Sequence, residues 1–257
     1  MSEKLFVEQV QNYIGGKFVP SQGSEYRQLN NPATGEPVGS CPVGVAADVD
    51  AAVAAAKEAY PSWSQTPVPV RARYLFDLRN ALEAHFEELA SIVTQEHGKT
   101  LAESRGSTRR GIDMVEVAAG MPSLMMGNSL EQIASGIDCV EQRQPMGVFA
   151  AIAPYNFPAM VPLWFLPFCI ASGNTIVVKP SEQTPFCQNR MIEIIDSIGL
   201  PPGVVNYVHG AKDVVTRIAE HPDVAGVSFV GSSAVAKKVY AKAAATGKRC
   251  QALGGAK

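Results

Sequence analysis

The chain has 257 residues, 46% of them hydrophobic and 18% charged, with 22 Lys and Arg against 24 Asp and Glu for a net charge of −2. That length accommodates one or two domains with a full core. The near-neutral balance, with no block of Lys or Arg, argues against a nucleic-acid partner.

The first ten residues, "MSEKLFVEQV", hold no apolar core of the kind a secretory signal needs. "YIGGKFV" reads as two short strands turning on Gly15-Gly16. "NPATGEPVGS" repeats the idea around a Thr-Gly turn. In "ADVDAAVAAAKEAY" the residues Val49, Val53, Ala56 and Tyr60 share one helical face, and Pro61 is expected to end the run. The next segment carries Leu75, Leu78, Leu82, Phe86 and Leu89 at helical spacing, with Gly98 as its stop. A third helix, interrupted by glycines, is expected over much of 100–120. "AMVPLWFLPFCIA" (159–171) is too short to span a bilayer and reads as a helix inside the protein, so no membrane partner is expected.

From Met146 onward short β-branched runs alternate with helix-length segments: "MGVFAAIA", "NTIVVK", "GVVNYV", "VAGVSFV" and "KRCQAL". Strands too apolar to have a wet face predict an α/β fold: a Rossmann-like parallel sheet of about five strands with helices on both faces. The expected organisation is an arm, helices and hairpin over 1–145, bridging to a core over 146–257.

Ligands of such sheets sit beyond the carboxyl ends of the strands. After the first strand, Asn156 precedes Phe157-Pro158, where a helix is expected to open. It suits either a helix cap or a donor to a developing oxyanion. After the second, Lys179 and Glu182 can bracket ribose hydroxyls, with the carboxylate favouring NAD over NADP, or form a solvated ion pair. After the fourth, Gly231, Ser232 and Ser233 open a helix whose amino end suits a pyrophosphate or is simply capped there. Arg109 and Arg110 could clamp a carboxylate or face solvent. Tyr13 and Lys17 have a Tyr-x-x-x-Lys spacing, but they flank a hairpin turn and are set aside. The cysteines Cys41, Cys139, Cys169, Cys187 and Cys250 include no Cys-x-x-Cys pair, so no metal site is expected; they read as reduced thiols of a cytoplasmic protein.

"PYNFP", "GNTIVVKPSEQTP", "PPGVVNYVHG" and "VSFVGSSAVAK" occur in the order and spacing of the aldehyde dehydrogenase superfamily, which the chain resembles along essentially its whole length. "RGIDMVEVAAGMPSLMMGNSL", "PYNFPAMVPLWFLPF" and the closing "GAK" are similar to its CoA-acylating, methylmalonate-semialdehyde branch. The resemblance implies the NAD-binding domain of that family, with NAD as cofactor, CoA as co-substrate and a small aldehyde as substrate. It makes Asn156 the oxyanion donor. It places Lys179, Glu182 and Gln183 at the adenosine ribose, and Ala153 and Tyr155 along the cofactor channel. Gly231 and Ser232 face the pyrophosphate, Gly254 the nicotinamide end, and Arg110 the substrate carboxylate. The complete family enzyme is implied to be a homo-oligomer.

Two departures stand out. Where hydrolytic members carry "ELGGK", with a Glu that activates water, this chain has "ALGGAK". Loss of that base suits transfer to the thiol of CoA. The family's cysteine nucleophile follows this loop and is not among the five cysteines. The chain is therefore expected to be a cofactor-binding portion, inactive by itself; the alternative is a non-catalytic remnant or interaction module.

Overall fold

The computed structural model describes residues 8–255. Residues 1–7 of the stretch read for a signal, and Ala256-Lys257 of the closing "GAK", lie outside them. Strands β1 (Asn12–Ile14) and β2 (Lys17–Val19) turn on Gly15-Gly16, whose φ angles of 60° and 79° only glycine adopts at low cost. β3 (Tyr26–Asn30) and β4 (Pro37–Pro42) form the second antiparallel pair.

Helix α1 (Ala46–Gln65) runs straight through Pro61, against expectation. Pro61 is exposed, and four residues' worth of further helix is held by Trp63, which is 1% exposed and donates from its indole Nε1 to the Ile170 carbonyl at 3.0 Å. Burial of that ring outweighs the one helical bond that proline forfeits. The leucine-periodic run is likewise two helices, α2 (Val68–Ala84) and α3 (Phe86–His97). The backbone leaves the helical region at His85 (φ −105°, ψ 15°), which lets α3 pack on α7. Leu75, Leu78, Leu82 and Leu89 are fully buried, while Phe86 is only partly so. α4 (Leu101–Ala119) opens with a capping box, Thr100 with Glu103, and runs through Gly106 and Gly111 without the expected interruption. A short turn of helix, α5 (Met121–Leu124), leads to an unforeseen hairpin, β5 (Ser129–Ala134) and β6 (Ile137–Val140), exposed along its whole length.

The alternating half follows as expected: β7 (Val148–Ile152), α6 (Pro162–Ala171), β8 (Thr175–Lys179), α7 (Phe186–Ser197), β9 (Val205–Tyr207), α8 (Lys212–Glu220), β10 (Val224–Val230), α9 (Ser233–Ala245) and β11 (Arg249–Leu253). Its five strands are parallel, in the order β11-β10-β7-β8-β9. The arm extends them to seven, because β1 pairs antiparallel with β9 through Tyr13 and Tyr207. Alternate residues feed two cores. Ala151, Ile176 and Val178 pack with side chains of α2, α6 and α7, while Ala150, Ile152 and Val177 pack with α1, α8 and α9. Each fully buried Val, Leu or Ile contributes about 1.5–3 kcal/mol.

The strand order fixes where a ligand fits. From β7 the chain winds one way through β8 and β9, then returns to lay β10 on the other side of β7. The loops after β7 and β10 therefore diverge and leave a crevice at the carboxyl edge of the sheet. α6 opens at Pro162, five residues later than expected, because Pro158 keeps Phe157 out of the helical region and Pro162 takes the first-turn position. It is covered on one side only: Trp164, Phe165 and Phe168 line a shallow groove with Phe149.

Candidate functional site

A cavity of about 620 Å³ occupies the crevice at the β7/β10 switch point. The loop after β7 contributes Ala153, Tyr155 and Asn156; β8 and its loop contribute Lys179, Glu182 and Gln183; the loop after β10 contributes Gly231 and Ser232. Residues far apart in sequence thus share one wall. Gly231 has a packing reason to be glycine: a Cβ there would lie 2.5 Å from Cζ of Phe229.

Asn156 is 9% exposed and is not the cap of α6, since Val161 takes that place. Asn156 therefore does not cap α6 itself, and it belongs to the wall of the cavity. The Lys179 ammonium is 2.9 Å from the Glu182 carboxylate, with the lysine side chain 5% and the glutamate 25% exposed. The pair is not a solvated one. Burial works against ionisation of Glu182, but the Lys179 charge and hydrogen bond outweigh it and hold the carboxyl below its usual range. An ionised acceptor beside a donor therefore faces the cavity. Ser232 occupies the N-cap position of α9 without a side-chain capping bond, so the amino end of that helix meets the cavity.

Two expected residues lie elsewhere. Gly254 borders a separate groove on the opposite side of α9, with Ser233, Ala236 and Tyr240. Arg110 is exposed on α4, where its guanidinium lies 5.7 Å from the ring centre of Phe157, the neighbour of Asn156. The structure separates the two adjacent arginines that the sequence could not. Arg109 forms a two-point pair with Glu83, at 2.7 and 2.8 Å, whereas Arg110 donates only to the Gly106 carbonyl of its own helix in the hydrogen bonds seen.

Several wall residues were not foreseen. Lys238 and Lys242, spaced i and i+4 on α9, share the cavity with Lys212 at the start of α8 and add positive charge around it. The helical spacing of Lys238 and Lys242 was readable, but nothing local says which face of α9 meets the crevice. His97 stacks on Tyr155 at 6.0 Å between ring centres, and the Lys99 ammonium sits 3.7 Å over the Phe157 ring. Burial lowers the Lys99 pKa, with Arg110 adding to the effect and Glu103 opposing it.

None of the five cysteines lines this cavity. Burial pushes the Cys41 thiol up to about 12 and raises Cys169, Cys187 and Cys250 as well, which leaves them poor nucleophiles. Among the described residues, no helix is long and apolar enough to cross a membrane.

A doubly wound α/β sheet with a polar cavity at its switch point defines the class: a domain built like those that hold dinucleotides. Residues 18–257 match the model of the aldehyde dehydrogenase family, and the chain belongs to that family. It is 53% identical over 251 residues to malonate-semialdehyde dehydrogenase 1 of Geobacillus thermodenitrificans, covering 98% of this chain and 52% of that protein. The structure of methylmalonate-semialdehyde dehydrogenase from Oceanimonas doudoroffii superposes with a TM-score of 0.94 at 41% identity, covering 98% of this chain and 51% of that one. A Sinorhizobium meliloti structure assigned to the same activity and complexed with NAD gives 0.93 at 41% identity, covering 97% and 51%. The chain spans about half the length of the curated relatives it matches.

Proposed function

We propose that this chain is the cofactor-binding half of an NAD-dependent, CoA-acylating dehydrogenase acting on malonate or methylmalonate semialdehyde, with the carboxylate lost as carbon dioxide and acetyl-CoA or propionyl-CoA as product. The observation that carries this reading is the single cavity that gathers Asn156, Lys179, Glu182, Gly231 and Ser232 at the switch point of the sheet.

These residues fit NAD. The Lys179–Glu182 pair offers a donor and an ionised acceptor to the two hydroxyls of a ribose, and the carboxylate disfavours a 2′-phosphate. Gly231, Ser232 and the amino end of α9 suit a pyrophosphate. Bound NAD supplies the hydride acceptor for aldehyde oxidation. The Asn156 side-chain amide donates to the oxygen on which negative charge develops, a contribution of about 3–4 kcal/mol in comparable sites. The four thiols raised by burial are unsuited to attack. Cys139 lies on the exposed β5–β6 hairpin, so the nucleophile is assigned to sequence outside these 257 residues. Transfer to CoA is supported by Ala252 in β11, where hydrolytic members carry a water-activating Glu. A carboxylate-bearing aldehyde is supported by Arg110, which has no carboxylate partner among the ion pairs seen, and by the names of the relatives. Free thiols support a cytoplasmic setting.

Calorimetric titration of the purified chain tests the reading. One saturable NAD site, weaker for NADP, is expected, and Glu182→Ala should raise the NAD dissociation constant about tenfold, the equivalent of one lost charged hydrogen bond. A flat wild-type trace overturns it and favours a module that does not hold the cofactor.

A further inference from the structure

Glu96, one residue from the end of α3, is 6% exposed and pairs with no cation among the described residues. Its two oxygens face the first turn of α7. Oε2 accepts the Phe186 N–H at 2.8 Å and Oε1 the Cys187 N–H at 3.2 Å, across 90 residues of sequence. α7 makes no capping bond of its own, because Pro185 stands at its N-cap. Helix amino ends leave N–H groups open, and the two oxygens of a side-chain carboxyl can accept two of them at once. Glu96 is thus a cap donated by a distant element.

What α7 begins is what matters. Residues 180–185 join β8 to α7, and this segment presents Glu182 and Gln183 to the cavity. Its start is held where Lys179 pairs with Glu182, and its middle by the Thr184 hydroxyl, which donates to the Tyr155 carbonyl at 3.1 Å. Its far end is held by Glu96. The turn that carries Glu96 also reaches the neighbouring loop, since His97 stacks on Tyr155 and Lys99 covers Phe157. One α3–α4 turn therefore braces both strand-end loops from behind, without itself contributing Glu96 to the lining of the cofactor cavity.

We propose that Glu96 is a positioning residue for the nucleotide site: by capping α7 it fixes the 181–185 segment and so the placement of Glu182 and Gln183. The inference rests on the cavity being the NAD site. Its effect belongs to the adenosine side of the ligand, because the segment it holds carries the ribose contacts.

Two measurements on the purified chain test it, with Glu96→Gln as the conservative variant and Glu96→Ala as the severe one. The first is amide hydrogen exchange followed by mass spectrometry. The expected result is faster exchange over 181–187 in Glu96→Gln, faster still in Glu96→Ala, with β8 and β10 unchanged. The second is titration with NAD and with AMP, which carries only the adenosine half, well below each melting temperature. The dissociation constants for both ligands should rise by the same factor, about three- to tenfold for Glu96→Gln and more for Glu96→Ala. Unchanged exchange over 181–187 overturns the proposal. So does a lowered melting temperature with unchanged AMP and NAD affinity, which would make Glu96 a purely structural cap. If Glu96→Ala does not fold, Glu96→Gln, which keeps the volume and one acceptor, decides the matter. Failure of the wild-type chain to bind either nucleotide sinks the functional reading, whereas the exchange data still show whether Glu96 holds the segment.

Discussion

Among the described residues, two of the three pairs of consecutive antiparallel strands, β1–β2 and β5–β6, have opposite fates. β1–β2 is fused to the edge of the sheet: Asn12 and Tyr13 are 0% and 5% exposed, and three hydrogen bonds reach nearly two hundred residues away. Tyr13 donates to Asp196 at 2.5 Å, Asn12 accepts the His209 N–H at 2.8 Å, and the Gly15 N–H is accepted by Asn206 at 2.9 Å. β5–β6 has no buried residue at all, and Leu130, Ile133, Ile137 and Val140 are each more than half exposed. The difference teaches that a strand pair belongs to a fold through what it buries and not through its own ladder, since an isolated two-stranded hairpin is marginal in water.

The largest effect should come from breaking the first hairpin. Tyr13→Ala removes a buried ring, its edge contact with Phe18 and the bond to Asp196, and should cost about 3–5 kcal/mol in urea unfolding. Tyr13→Phe keeps the ring and should cost about 1 kcal/mol. Equal losses in the two variants would mean that the hydroxyl, not the burial, attaches the arm.

The same arm seals His209, and this sharpens the comparison through pH. Burial, with Lys179 nearby, lowers the His209 pKa to about 3, against 6.5 in the unfolded chain. Its contribution to stability is complete above pH 6.5 and is lost as pH falls towards 3, because the unfolded state takes up the proton first. Glu96 has the opposite sign: burial raises it to about 8, with the two backbone bonds opposing, so its contribution is complete below pH 4.5 and is lost as pH rises through 8. Between pH 4.5 and 6.5 the two slopes cancel. Above pH 6.5 the Glu96 contribution should lower stability as pH rises towards 8, by at most about 1.4 kcal/mol per unit. Glu96→Gln should flatten the alkaline limb in a series of melting curves, and His209→Asn should soften the acid one. An alkaline limb that persists in Glu96→Gln would refute the assignment.

How much of this was legible follows the same physics. The parallel strands could be read because burial on both faces leaves uninterrupted apolar runs such as Ile176-Val177-Val178. The first hairpin could be read because Gly15-Gly16 marks its turn. The strand ends could be read as a site because Asn156, Lys179, Glu182 and Gly231 each stand where a strand stops, although only the fold brings them together. β5–β6 could not be read: its register shifts between Leu130 and Ala134, and Gln132 has a φ of 53°, so the apolar residues keep no period of two. Pro61 misled because the reason for continuing the helix, the burial of Trp63, lies in tertiary contacts. Glu96 gave no local sign, since its partners are backbone N–H groups of another element.

The smallest effect should come from β5–β6, and its smallness is the point. Leu130→Lys, Ile133→Lys and Val140→Lys each place a charge where the side chain is already 59%, 55% and 64% exposed. No buried partner is lost, so each should change the unfolding free energy by no more than about 0.5 kcal/mol. Amide exchange over 129–140 should be fast in the wild type and in all three variants, while β7 and β8 stay protected. A loss above about 2 kcal/mol in any one of them would show that in solution this hairpin is covered, and that the contrast between the two arms holds only for the isolated chain.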